Sequence, residues 1–156
     1  MIHVRAAEPA DAALIHAFVR ELAEYERLLD KVTASADDIA TILFAPAPRA
    51  FCDIAELDGE PIGFALWYYT VSTFEGRAGI FLEDLYVRPA ARSKGAGLAL
   101  MRRLARRCLD EGLPRLDWEV LDWNEPAIAF YDRLGARPRT GWLPRQLSGE
   151  ALARLR

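Results

Sequence analysis

Two stretches of the sequence hold residue types whose spacing can do chemistry at once. In ARSKGAG (91–97) an arginine precedes two glycines, as Arg92-x-x-Gly95-x-Gly97, directly ahead of an amphipathic helical pattern. Glycines there let the backbone approach a ligand closely and turn successive N–H groups toward one point. The positive end of the helix dipole adds to this, so the loop is either a phosphate or pyrophosphate site or only a Gly-rich helix start. Two commoner phosphate loops are excluded. A P-loop has its Lys directly after the second glycine, whereas Lys94 precedes Gly95. The dinucleotide fingerprint wants Gly or Ala where Leu100 stands, and it opens a βαβ unit instead of following a hairpin. In FLEDLYV (81–87) the adjacent carboxylates Glu83 and Asp84 interrupt an apolar strand. Neighbours on a regular strand point to opposite faces, so at least one heads toward whatever covers the sheet. Burial is costly unless the group is paired or functional. It is either a structural carboxylate, a base with a raised pKa, or an anionic contact for a cationic substrate.

A third stretch, WNEPAIAFYDRLGA (123–136), reads as a short helix. Asn124 is its N-cap, Pro126 sits in the first turn and Gly135 supplies the stop. Packing explains Phe130, while Tyr131 is either packing or a phenol with chemistry to do. Glu21, Glu24, Tyr25 and Glu26 form an acidic-aromatic patch that, as a bare pattern, is a solvated helix end.

The elements that must position these residues follow from periodicity. IHVRAAE (2–8) alternates as a first strand and ends at Pro9. Asp11 is expected to cap a helix with Leu14, Ile15, Phe18, Val19, Leu22 and Tyr25 at helical spacing. Ser35 caps a second, shorter one through Phe44. RAFCDIAEL (49–57), Asp58–Gly59 and PIGFALWYYTV (61–71) form a hairpin with a type I′ turn; its second strand is apolar on both faces and therefore central. Residues 79–87 are a strand, Lys94 to Glu111 a helix, and RLDWEVLDW (115–123) a strand. In the tail, a short strand near Trp142 and a helix from Ser148 are expected. Hairpins together with helical crossovers imply an α/β fold with a mixed sheet.

A chain of 156 residues, 52% apolar and 28% charged, is expected to form one domain over 1–156. A net charge of −3 without a reader motif argues against nucleic acid. No apolar run approaches the roughly 20 residues a membrane helix needs, and MIHVRAAEPADAA lacks a signal-peptide pattern. Cys52 and Cys108 read as buried thiols of a cytoplasmic protein, and no metal-like spacing occurs.

In order and spacing, ELAEYE (21–26), FLEDLYV, ARSKGAG and WNEPAIAFY (123–131) resemble blocks of the GCN5-related N-acetyltransferase (GNAT) superfamily, in particular its diamine (spermidine/spermine and thialysine) acetyltransferase group. The resemblance spans roughly residues 3–136. It implies a single-domain GNAT fold: a mixed, mostly antiparallel sheet flanked by helices, with an acetyl-CoA cleft between two splayed central strands. It further implies that backbone groups of Leu85, Tyr86 and Val87 bond the pantetheine arm of acetyl-CoA like an added strand. Arg92, Ser93, Lys94, Gly95, Ala96, Gly97 and Leu98 would hold the pyrophosphate, and Asn124 would contact the pantetheine. Tyr131 would donate a proton to the departing thiolate, since a phenol of pKa about 10 stays protonated near neutrality. Glu83 would receive the amine's proton through water on the substrate side, and Tyr25 and Glu26 would line the acceptor site. The reaction implied is direct attack of a small-molecule amine, polyamine or lysine-like amino acid, without a covalent acetyl-enzyme, a metal or a role for Cys52. Relatives in this group imply a homodimer. Arg102, Arg103, Arg106 and Arg107 are read as a solvated helix face.

One segment departs from the group. Where the polyamine enzymes carry an acidic pair before Gly–Trp, ARPRTGW (136–142) has Arg137 and Arg139. Two cations near the acceptor mouth would repel a polycation or attract a substrate carboxylate, unless the tail folds away from the site.

Overall fold

Asp58 and Gly59 both adopt positive φ, 51° and 87°, in the computed structural model, which describes residues 1–156. This is the type I′ geometry that matches strand twist. It joins β2 (Phe51–Leu57) to β3 (Glu60–Ser72) as expected. With β1 (Ile2–Ala6), β4 (Arg77–Val87) and β5 (Leu116–Trp118) they make one sheet in the order β1-β2-β3-β4-β5. The first three pairings are antiparallel and β4 with β5 is parallel. The sheet is therefore mixed, and β3 is its central strand.

The chain divides into two compact units, Met1–Glu119 and Val120–Arg156. In the first, α1 (Ala12–Tyr25) and α2 (Ala36–Phe44) bury one sheet face. Ile15, Phe18, Leu22, Ile39 and Leu43 pack there against Cys52, Ile54, Phe64, Leu66 and Tyr86. The Phe18 and Phe64 rings stack 5.4 Å apart. Ser35 caps α2 in a reciprocal box with Asp38. Asp11 does something else: it takes the Glu8 N–H and two bonds from Arg5, so its carboxylate makes no cap for α1. An arginine offering two charge-assisted bonds outcompetes a helix N–H for the same oxygens.

The opposite face carries α3 (Ala96–Glu111), with Leu100, Met101, Leu104 and Cys108 buried. Its arginines are not a uniform solvated face. Arg103 Nε donates to Asp53 at 3.1 Å, and Arg107 lies 4.9 Å over the Trp67 ring. Asp53 is 2% exposed and also accepts from Trp67 Nε1 at 3.0 Å. A buried carboxylate in β2 recruits helix cations that periodicity alone sends to water. Asp53→Ala strands both donors and is expected to cost about 2–3 kcal/mol, below the roughly 3–5 of a fully buried pair because Arg103 keeps solvent contact. Asp53→Asn keeps the Trp67 acceptor and should recover part of the loss. Urea denaturation midpoints check this, and a change within about 0.5 kcal/mol for the Ala variant refutes it.

Strand β5 is shorter than the pattern over 115–123 suggests. Its ladder covers only Ile80–Leu82 opposite Leu116–Trp118. In the second unit, α4 (Glu125–Arg133) begins at Asn124 and α5 (Gly149–Ala153) follows Ser148. No strand forms near Trp142. Alternation needs a partner edge to become a strand, and a run from 137 to 147 containing two prolines offers a poor one. No helix is long and apolar enough to cross a membrane.

Candidate active site

Strand β4 carries the first half of the site, and a β-bulge arranges it. Leu66 pairs with Asp84 and Trp67 with Leu82, which leaves Glu83 as the extra residue. A bulge breaks the two-residue alternation, so Leu82 and Asp84 do not share a face. Leu82 falls on the α3 face with Trp67, whereas Asp84 falls on the α1/α2 face with Leu66 and, through its neighbour Tyr86, Phe18. At this bulge Glu83 is exposed while Asp84 turns to the α1/α2 face, so one of the two acids does head toward what covers the sheet.

The consequence is a group of carboxylates near the C-terminal end of α1. Burial pushes Asp84 up from 3.8 to about 7, and the charges of Glu83 and Glu26 add to it. Burial also raises Glu26 above the usual glutamate range. Glu83 itself is exposed at the bulge. The Tyr68 hydroxyl is raised by burial and then by Glu83 and Glu119, so these two acids face the same neighbourhood. Sequence reasoning named Glu83 and Glu26. It passed over Asp84 as the carboxylate with the raised pKa, and over Tyr68 and Glu119; the adjacent acids were the signal, but their placement needed the bulge.

The second half is an open strand edge leading into a helix N-terminus. Beyond Leu82, β4 runs on through Glu83–Val87 with no ladder to β5. On its other side, Gly63 of β3 sits opposite Val87 so tightly that a Cβ would strike the Tyr86 carbonyl. Past Val87 the chain makes a turn at Pro89–Ala91 and reaches Ser93 and Gly95, both left-handed at φ 63° and 92°. Gly95 stands at the α3 N-cap with no side-chain oxygen to accept from the first turn. The leading N–H groups of a 16-residue helix, at Ala96, Gly97 and Leu98, therefore want an acceptor. With open space around Gly95, these N–H groups suit an anionic group such as a phosphate.

Arg92 is exposed beside this loop, its Nε donating to the Val87 carbonyl at 2.9 Å. Arg88, one residue beyond β4, grips Glu21 of α1 through Nε and a terminal nitrogen at 3.0 and 2.8 Å. It also caps the Phe18 ring at 4.7 Å. This clamp fixes the end of α1 to the end of β4, and it removes Glu21 from the solvated patch read from sequence. Asn124 and Tyr131 belong to the second unit. There Asn124 is buried and accepts the Ala127 N–H at 3.4 Å, a true N-cap. Tyr131 is half-buried, with its ring 5.4 Å from that of Phe130. His16 bonds the Ala34 carbonyl, both cysteines are free and buried, and no cluster of metal-ligand type occurs.

The fold and this strand–loop–helix arrangement coincide with a known family. The sequence model of the Acetyltransferase (GNAT) family matches residues 14–136. The chain belongs to the GNAT family. A thialysine N-epsilon-acetyltransferase of Bos taurus is 38% identical over 165 residues, covering 99% of this chain and 96% of that one. An L-ornithine N5-acetyltransferase of Arabidopsis thaliana is 26% identical, with 96% and 85% covered. Among solved structures, an integron cassette protein from the mobile metagenome of V. cholerae superposes with a TM-score of 0.82 at 26% identity, covering 99% of this chain and 96% of that one. This GNAT protein is an N-acetyltransferase, and its place near the diamine group agrees with the four sequence blocks.

Proposed function

We propose that this GNAT protein transfers acetyl from acetyl-CoA to a primary amine of a small molecule, a diamine or a lysine-like amino acid, by direct attack. The observation that carries the reading is the group Glu26, Glu83 and Asp84. It lies beside an open strand edge, none of the three has an ion-pair partner, and two are held above their usual pKa. Gathered carboxylates of that kind are costly in isolation and are relieved by an ammonium. The relatives that act on thialysine and L-ornithine support an acceptor of this chemistry.

When bound, acetyl-CoA supplies the thioester whose carbonyl carbon the amine attacks. Residues Arg92–Leu98 hold its anionic end, and the Leu85–Val87 edge aligns its arm by backbone hydrogen bonds. Glu83 and Glu26 draw the ammonium in. Asp84, pushed up to about 7, is matched to accept the amine's proton near neutrality. Water takes the first proton of the ammonium before attack, and Asp84 takes the second as the C–N bond forms. Tyr131 gives a proton to the sulfur as the C–S bond breaks and regains one from Asp84 through water, so one proton leaves to solvent per acetyl transferred. The family match from 14 to 136 crosses the boundary between the two units, which supports one functional domain over 1–156.

The test is release of CoA thiol from acetyl-CoA with a panel of thialysine, lysine, ornithine, spermidine and peptide N-termini. Turnover with the diamines or amino acids, and little with the peptides, is expected. Silence with every amine despite measurable acetyl-CoA binding would make the protein an acyl-CoA sensor and sink the proposal.

A further inference from the structure

Arg92 sits in the loop assigned above to the anionic end of acetyl-CoA, yet a different element shapes its side chain. Its guanidinium carbon lies 4.7 Å from the centre of the Tyr25 ring and 5.8 Å from that of Tyr86. Its Nε is tied to Val87, the last residue of β4. Tyr25 is the last residue of α1, and Tyr86 comes from β4. Two aromatic faces thus form a shelf under the cation, and the carbonyl at the strand end fixes its rotation. The shelf is itself braced, because Arg88 pins Glu21, one helical turn before Tyr25, to the end of β4.

An exposed arginine samples many rotamers, and binding an anion must freeze one of them. An aromatic face that already holds the guanidinium removes part of that cost. We propose that Tyr25 is a positioning residue for Arg92, presenting its guanidinium to the anionic end of the co-substrate. The inference rests on the acetyl-CoA reading of the loop. It differs from the family resemblance, in which Tyr25 lines the acceptor site: here the α1 terminus serves both ligands, Glu26 the amine and Tyr25 the coenzyme.

The experiment is calorimetric binding of acetyl-CoA, without acceptor, to the wild type, Tyr25→Phe, Tyr25→Leu, Arg92→Met and the Tyr25→Leu/Arg92→Met double variant. Thermal melts confirm folding, and Tyr25→Met replaces the Leu variant if that one does not fold. The Phe variant keeps the ring and should bind like wild type, whereas loss of the ring should weaken binding about three- to five-fold, the range of an exposed cation–π contact. In the Arg92→Met background the Leu substitution should add nothing further, and the acceptor KM at saturating acetyl-CoA should not move. Equal affinity of the Leu variant, or full additivity in the double variant, overturns the proposal. So does an effect confined to acceptor KM, which returns Tyr25 to the acceptor site. Failure of the wild type to bind acetyl-CoA instead overturns the functional reading, and this inference with it.

Discussion

Tyr131→Phe is expected to bind acetyl-CoA within about two-fold of wild type while kcat falls about 100-fold, the lower range for loss of a general acid. The substitution removes one hydroxyl and keeps the ring, so packing against Phe130 in α4 is preserved. A phenol is suited to the task because it stays protonated at neutral pH yet can donate to a departing thiolate. Equal loss of kcat and kcat/KM would place the lost interaction in the transition state alone. An unchanged kcat removes Tyr131 from the acid role and leaves it as packing. A large loss of acetyl-CoA affinity would instead make its hydroxyl a binding contact. Thermal melts of the two proteins separate chemistry from folding.

Asp84→Asn should show two effects at once, and their combination is diagnostic. Activity near neutrality should fall by about 100-fold, and the low-pH limb of kcat attributable to a group titrating near 7 should disappear. Stability should move the other way. The folded pKa of about 7 lies above the ordinary 3.8, so between these values the folded state keeps a proton that the unfolded chain has lost. Wild-type stability therefore falls as pH rises from about 4 through 7 and stays reduced above it. The asparagine variant carries no such penalty. At pH 8 it should melt about 4–8 °C higher, corresponding to about 2 kcal/mol, and at pH 4 the two proteins should coincide. Activity lost without this pH-dependent gain would make Asp84 a binding contact of ordinary acidity. A gain without loss of activity would make it a buried acid outside the reaction.

The different fates of the adjacent acids, Glu83 exposed and Asp84 withdrawn, separate what local pattern conveys from what it does not. The apolar run in residues 79–87, the Asp58–Gly59 turn, the Ser35–Asp38 capping box and the Asn124 cap all depend on neighbours within a few positions. These features are legible because turn chemistry and helix ends are local. Arg92-x-x-Gly95-x-Gly97 is legible for the same reason: only glycine takes φ near 90° comfortably at the head of α3, and the helix supplies its own field. In such segments the sequence by itself determined the element and its local geometry.

Where the partner is remote in the chain, the tertiary structure decided. Arg103 and Arg107 look like solvated charges until Asp53 and Trp67, some fifty and forty positions away, are brought beneath them. Asp11 looks like a cap until Arg5 arrives with two bonds. Residues 119–123 continue the apolar character of β5, yet no ladder receives them, and that early end of β5 leaves the edge of β4 open. Above all, the register shift at Glu83 turns Asp84 onto the α1 face beside Glu26. A bulge is a property of two paired strands, so neither strand's pattern carries it. Composition and spacing determined that this chain is an α/β protein with a glycine-rich loop at a helix start and two candidate acids. Only the pairing of β3 with β4 decided which acid is withdrawn from water, because burial depends on the face a side chain takes and not on its place in the sequence.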